Sequence, residues 1–404
     1  MTDDSADAVG LTPTGLAGRA LDLVVRDRIR FGRGAAAMLP ALVREAGGKR
    51  AFIVTDAGVV ASGVIDVVRR SLEAGGVEVG IYDGVEPNPG TSSVERGSAA
   101  LVAFGTPGTI VVPVGGGSSM DTAKAVSLHA INGGGVLALG YHDPDLVPGL
   151  PLVAVPTTAG TGAETNTYGV ITDEVAGRKA YVGHPSVLPV ASVLDPELTV
   201  GLPPGPTAAT GVDAMTHSLE SLLSRNPNPF AEAIALHVIR TVATWLPTAV
   251  EDGRNLEARS QLLVGAHLAG LGQASGTGVG AVHAIGHALG TRGRLAHGTA
   301  LATVLPEVLA TYLGVREREL ALIAVALAVA SPLDPPADAA RAAISGLDAF
   351  LRRVGQRRTL RELGIGPEVE PSIVSDALED AAIANSPRLP SAEEVAGILA
   401  AVRG

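Results

Sequence analysis

The residues best suited to chemistry in this 404-residue chain are its histidines. Three of the nine, His283, His287 and His297, fall within fifteen residues, and His217 follows Asp213 by four. Positions i and i+4 share one helix face, so Asp213 and His217 can address one ion together; His283 and His287 repeat that spacing. His297 precedes a glycine at the start of another helical stretch. One carboxylate and three imidazoles form an N/O donor set suited to Fe²⁺ or Zn²⁺. Taken singly, each histidine reads better as a core or capping residue. The patterns D-x-x-x-H, V-H-x-x-x-H and A-H-G together, in one apolar helical region, favour a metal. His129, His142, His184, His237 and His267 have no such spacing and read as structural. There is no cysteine, which excludes thiolate ligands and disulfides.

A second chemistry is anion binding. The run VVPVGGGSSMDTAK at 111–124 reads as strand, glycine turn and helix start. Glycines let backbone N–H groups approach an anion, and the helix N-terminus adds partial positive charge, which suits a pyrophosphate. An ordinary tight turn with Ser118 as N-cap competes with that reading. The run is neither G-x-G-x-x-G nor a P-loop. Asp56 ends an earlier strand, where a carboxylate can bond an adenosine ribose and repel a 2′-phosphate, favouring NAD over NADP; a plain helix N-cap is the alternative. The acid precedes the glycine loop, so the wiring differs from the usual dinucleotide fold. A second loop, PTTAGTGAE at 156–164, offers hydroxyls with little bulk.

These residues need positioning elements. Short apolar runs at 51–55, 77–82, 108–114 and 152–155 read as strands, alternating with helical patterns at 60–74, 92–104 and 118–130. That alternation indicates a parallel α/β domain. Beyond about residue 205 the strand signal fades, and helical patterns run through 207–223, 230–250, 256–271, 280–290 and from 299 onward. The fold class expected is therefore an α/β N-terminal dinucleotide-binding domain with a parallel sheet (1–204), followed by an all-α C-terminal metal-binding domain (205–404). GLPPGP at 201–206 is the expected hinge, and the first ten residues read as a disordered tail.

Composition narrows the function. The chain is 46% hydrophobic, which excludes a disordered protein. Aromatics are 3% and the net charge is −11 without a basic stripe, so no nucleic-acid partner and no anionic membrane surface is expected. The acidic, polar start carries no targeting signal, and the longest apolar run, at 320–330, is too short to span a bilayer. A cytoplasmic location is expected.

The combination GGGSSMDTAK, PTTAGTGAE, GVDAMTHSLE and AVHAIGHALG…AHG, in that order, resembles the iron-dependent (group III) alcohol dehydrogenase family. The resemblance covers roughly 28–310. It implies the dehydroquinate-synthase-like fold, with cofactor and metal in an interdomain cleft. It implies Asp213, His217, His283 and His297 as metal ligands and His287 as a histidine by the substrate that serves in proton transfer. For the cofactor it implies Asp56, Asn88, the loop residues Gly115, Gly116, Gly117 and Ser118 with Asp121, the threonines Thr157, Thr158 and Thr161, and Tyr168, Val170 and Lys179. The implied cofactors are NAD, less so NADP, and Fe²⁺, with Zn²⁺ or Mn²⁺ also accepted. The implied substrate is a small alcohol or aldehyde, and the implied assembly a homodimer or larger homo-oligomer.

One departure concerns substrate. Many relatives carry a bulky aromatic and an asparagine where this chain has Ala274 and Gly276, which points to a wider pocket. Other readings are a polyol dehydrogenase or dehydroquinate-synthase-like enzyme of the same superfold, and a maleylacetate-reductase-like enzyme using Arg292 or Arg294 to hold an oxo acid. A non-catalytic metal- or nucleotide-binding protein is the reading from another class.

Overall fold

Strands form where apolar runs end in turn residues, and here they build one six-stranded parallel sheet in the order β1-β8-β5-β4-β2-β3. The structure is a computed structural model that describes residues 28–140, 143 and 145–404. The expected disordered tail and His142 lie outside those residues. The described chain divides into two units, 28–202 with 254–267, and 203–253 with 268–404.

In the first unit the elements are β1 (Ile29–Phe31), α1 (Leu39–Glu45), β2 (Arg50–Asp56), α2 (Ala57–Ala61), α3 (Val64–Ala74), β3 (Glu78–Val85), α4 (Thr91–Phe104), β4 (Thr109–Gly115), α5 (Gly117–Asn132) and β5 (Val153–Pro156). A hairpin, β6 (Tyr168–Asp173) and β7 (Arg178–Gly183), and a last strand, β8 (Ala191–Leu194), complete it. Side chains alternate across the sheet. Ala51 and Ile53 of β2 join Ile110 and Val112 of β4 under α1 and α3. Phe52 and Val54 face the other way, with Val111, beneath α4 and α5. Both faces are covered, so these strands read as continuous apolar runs.

This α/β unit and the helical region after it are the expected fold class, with corrections in detail. β1, the β6–β7 hairpin and β8 were not among the expected strands: β1 and β8 are three and four residues long, and the hairpin carries its polar residues, Thr172, Asp173, Arg178 and Lys179, together at the turn end. The single helix expected at 60–74 is two, broken at Gly63, whose φ of 77° leaves the helical region. β3 extends to Val85, three residues beyond the apolar run that ends at 82.

From β2 the chain moves outward to β3, then recrosses to place β4 on the other side of β2. The strand order therefore reverses between β2 and β4. In open α/β sheets ligands bind at such a switch point, outside the strand C-termini. Asp56 ends β2 and Gly115 ends β4.

The remaining elements are helices: α6 (Pro204–Leu223), α7 (Pro229–Glu251), α8 (Leu256–Gly272), α9 (Ala281–Gly293), α10 (His297–Ala310), α11 (Glu317–Ala326), α12 (Pro336–Arg353), α13 (Glu370–Glu379) and α14 (Ala392–Ala401). Residues 256–267 of α8 group with the α/β unit. α7 is long and apolar enough to cross a bilayer. Its apolar residues serve a core instead: Val238, Ile239, Val242 and Leu246 are fully buried. A π turn at Gln273–Thr277, with Gly276 at φ 89°, separates α8 from α9.

Candidate metal centre and nucleotide loop

α6 presents Asp213, His217 and Glu220 on one face, because positions i, i+4 and i+7 align on a helix. α9 presents His283 and His287 in the same way, and His297 is the first residue of α10. The three helices bring four of these side chains to one point. Asp213 Oδ1 lies 3.5 Å from His217 Nε2, 3.5 Å from His283 Nε2 and 3.4 Å from His297 Nε2. Asp213, His283 and His297 form a group whose donor atoms all lie within 4.8 Å of one another. The His217 ring stacks on that of His283, with centroids 4.8 Å apart.

No hydrogen bond explains this convergence. Asp213 Oδ1 and His283 Nε2 are buried without a hydrogen-bond partner among the described residues. Leaving such groups unpaired costs about 1–3 kcal/mol each. A cation removes that cost, and the spacing fits one: donors about 2.1 Å from a tetrahedral ion stand about 3.4 Å apart. Burial works against the Asp213 charge, yet His217, His297 and His283 hold its carboxyl well below the usual range. Burial, with His283 and His297 beside it and against the pull of Asp213, pushes His217 down to about 4, toward the neutral form a ligand needs.

Glu220, in the GVDAMTHSLE motif and seven residues after Asp213, is a further site residue that the metal-ligand spacing does not single out. Its Oε2 sits 2.5 Å from His283 Nδ1, and its Oε1 accepts the N–H of Val282 at 2.7 Å. A carboxylate only accepts, so it fixes the Nδ1–H form of His283 and leaves Nε2 free to ligate. Glu220→Gln is accordingly expected to weaken divalent-metal affinity about 10- to 100-fold, measured by chelator competition. Unchanged affinity would mean that His283 is oriented by packing alone.

His287 stands beside this group. Its ring lies 5.3 Å from that of His297 and 5.8 Å from that of His283. Its Nδ1 is 2.7 Å from Asp380 Oδ2, a contact from the C-terminal region for which no motif had been read. Arg292 is paired with Asp376 at 2.6 Å, and Arg294 is exposed at the end of α9. Of the histidines read as structural, His267 pairs with buried Glu164 at 3.0 Å, His184 caps a turn, and His129 Nε2 meets Gly134 O.

In the α/β unit Asp56, the loop 115–118 and the loop 157–161 lie together at the switch point. Gly115 has φ 153°, and a Cβ there would lie 2.3 Å from Ser119 Oγ. A Cβ on Gly116 would meet Thr158 at 3.1 Å, and one on Gly117 would meet Thr161 at 2.7 Å, so the two loops touch only because glycines stand there. Thr157 N–H donates to Gly115 O. Ser118 is in the first turn of α5, whose N-cap is Gly116. Asp56 is an N-cap, as its alternative reading had it: Oδ1 accepts from Gly58 and Val59. Its Oδ2 faces Ser119 Oγ at 3.3 Å.

Asp121 accepts the Val170 N–H at 3.1 Å, tying α5 to β6, where Tyr168 also lies. Lys179 Nζ donates to Asn88 Oδ1 at 2.9 Å, so those two residues meet as well. Burial pushes Lys179 down to about 8, against the pull of Asp121. Lys124 closes the 111–124 run that carries the glycine turn. It is fully buried and donates to Ala163 O, Asn166 Oδ1 and Tyr168 O, so α5 anchors the loop from 163 to 168 from beneath.

Comparisons with known proteins show the family of the chain. Residues 27–196 match the model of iron-containing alcohol dehydrogenase, and residues 207–402 match the C-terminal model of the Fe-containing alcohol dehydrogenase family. The chain is 33% identical over 369 residues to an NAD-dependent methanol dehydrogenase of Bacillus methanolicus, covering 91% of this chain and 96% of that one. It is 34% identical over 382 residues to a 1,3-propanediol dehydrogenase of Klebsiella pneumoniae, covering 94% and 98%. A crystal structure of a 1,3-propanediol oxidoreductase superposes with a TM-score of 0.91 at 34% identity, covering 95% of this chain and all of that one. With both halves matched in order, and with relatives this similar along nearly the whole length, the chain belongs to the iron-containing alcohol dehydrogenase family.

Proposed function

We propose that this protein interconverts a primary alcohol and its aldehyde with NAD(H), using a divalent cation held by Asp213, His217, His283 and His297. The observation that carries the reading is the meeting of three imidazole Nε2 atoms at one buried carboxylate oxygen, 3.4–3.5 Å away. When bound, the cation supplies Lewis-acid polarisation of the substrate oxygen, and NAD supplies the hydride acceptor. Fe²⁺ follows from the family; the same donors accept Zn²⁺ or Mn²⁺.

The chain's own residues bind and orient. Gly115, Gly116, Gly117 and Ser118 offer backbone N–H groups at the α5 N-terminus for a pyrophosphate. Asp56 disfavours a 2′-phosphate, which favours NAD over NADP. Asn88 and Lys179 form a polar pair for a ribose, and Thr157, Thr158 and Thr161 line the loop beside the glycines. Asp121 fixes β6, which carries Tyr168 and Val170 toward a nicotinamide. His287 takes the proton that leaves the substrate hydroxyl. In this reading 1–204 is the nucleotide-binding domain and 205–404 the metal-binding domain.

The relatives include a methanol dehydrogenase, a 1,3-propanediol dehydrogenase and a lactaldehyde reductase of Escherichia coli, which support a small alcohol or aldehyde. Ala274 and Gly276, small residues of the π turn where many relatives carry larger ones, favour a longer one. An oxo-acid substrate has less support, because Arg292 is already paired with Asp376. The test is a panel of alcohols and aldehydes of increasing chain length with NAD(H) and NADP(H), using anaerobic protein with Fe²⁺ or Zn²⁺. We expect alcohol-dependent NADH formation, with kcat/KM rising beyond three carbons. A preference for one- to three-carbon alcohols would overturn the wide pocket. No turnover across the panel would return the protein to a non-catalytic binding role.

A further inference from the structure

Asp380 lies just beyond α13, and its two oxygens have different partners. Oδ1 accepts the Ala382 N–H at 2.8 Å, capping the turn Ala381–Asn385. Oδ2 sits 2.7 Å from His287 Nδ1, and both side chains are nearly nine-tenths buried. The cap fixes the carboxylate, so the carboxylate can fix the ring. An ionised carboxylate only accepts, which places the hydrogen on Nδ1 and leaves the Nε2 lone pair as the ring's acceptor. Nε2 of His287 has no hydrogen-bond partner among the described residues. The ring borders the metal-donor group without joining it, stacked near that of His297 at an interplanar angle of 24°.

We propose that Asp380 is the positioning residue of the proton step, holding His287 as the Nδ1–H tautomer so that Nε2 receives the substrate's hydroxyl proton. This rests on the reading of His287 as the proton relay. In alcohol oxidation the proton moves from the substrate O–H to Nε2 and then to solvent, while Asp380 stays ionised beside the transient imidazolium. Aldehyde reduction runs the same transfer backwards. Glu220 holds the neighbouring α9 histidine by the same contact, so two carboxylates divide His283 and His287 between ligation and proton transfer.

The experiment has two arms. On metal-free protein with ¹⁵N-labelled histidine, long-range ¹H–¹⁵N correlation is expected to show His287 as the Nδ1–H tautomer in the wild type. That preference should be lost in Asp380→Asn. An Nε2–H tautomer in the wild type would overturn the proposal, and that wild-type measurement needs neither turnover nor a variant. On the metal-loaded enzyme, Asp380→Asn is expected to lower kcat about 100-fold or more, with KM for NAD and metal content unchanged. Asp380→Glu should recover part of the loss. In a His287→Gln background, Asp380→Asn should cost nothing further. Full additivity, or Asp380→Asn at wild-type kcat while His287→Gln is impaired, removes the role of Asp380 and leaves the relay. His287→Gln at wild-type kcat removes both.

Discussion

Asp213→Asn should strip the metal from this protein and lower kcat/KM at least about 1,000-fold, the rate equivalent of the several kcal/mol a Lewis-acid cation contributes. Among the described residues Asp213 is the one anion whose oxygen faces all three Nε2 atoms, and it is 2% exposed. The amide keeps the side chain's size while removing its charge. Because Oδ1 has no hydrogen-bond partner among the described residues, the substitution breaks no bond that the metal-free fold uses. It also removes a charge that, against burial, His217, His297 and His283 favour in the fold, since they hold the carboxyl below its usual range, and that stabilisation is present at neutral pH. Metal-free Asp213→Asn should therefore melt below metal-free wild type at neutral pH, with the gap closing as the pH falls through the carboxylate range. Added Fe²⁺ or Zn²⁺ should raise the melting temperature of the wild type alone, since a ligand stabilises only the protein that binds it. Metal analysis and melting curves of both proteins check this. A variant that keeps a full complement of metal and its activity would place the ion elsewhere.

What could be read from the sequence followed from how local each signal was. The buried strands at 51–55 and 108–114 announced themselves because a sheet covered on both faces needs unbroken apolar runs, as the two faces of β2 show. β1 and β8 did not, because three or four residues carry no period and their pairing is with partners far along the chain. In the metal group, i,i+4 spacing named Asp213 with His217 and His283 with His287, but spacing alone could not separate ligand from neighbour. The structure sets His287 beside the ring of His297 rather than among the donors that face Asp213 Oδ1. Glu220 was within reach of the same helical reasoning. Asp380 was not: it lies 93 residues from His287, and only tertiary packing brings them together. Lys124 was visible as one of three lysines, yet its three oxygen partners on 163–168 depend on the fold.

The glycine of the A-H-G motif shows how packing sets such a pattern, and it leads to the largest expected loss of stability. Gly298 follows His297 at the start of α10, where that helix meets α6. A Cβ built on Gly298 would lie 1.9 Å from the Ala209 carbonyl oxygen and 2.5 Å from its carbon. Both are backbone atoms of a helix, so no rotamer change relieves the overlap. Ala209 is one turn before Asp213, and the contact that a methyl group would pry apart is the one that lets His297 Nε2 come within 3.4 Å of Asp213 Oδ1. Gly298→Ala should therefore destabilise the protein by about 3 kcal/mol or more, at the upper end of overpacking costs, and lower metal content with it. Gly290→Ala is the control. Gly290 lies inside α9, with its nearest neighbour 3.8 Å from an added Cβ, and alanine there should be neutral or stabilise by about 0.5–1 kcal/mol. Denaturation and metal analysis of the two variants side by side separate steric exclusion at one helix crossing from a general intolerance of alanine. A Gly298→Ala protein with wild-type stability and metal content would mean that α10 and α6 are farther apart than the placement of His297 against Asp213 requires.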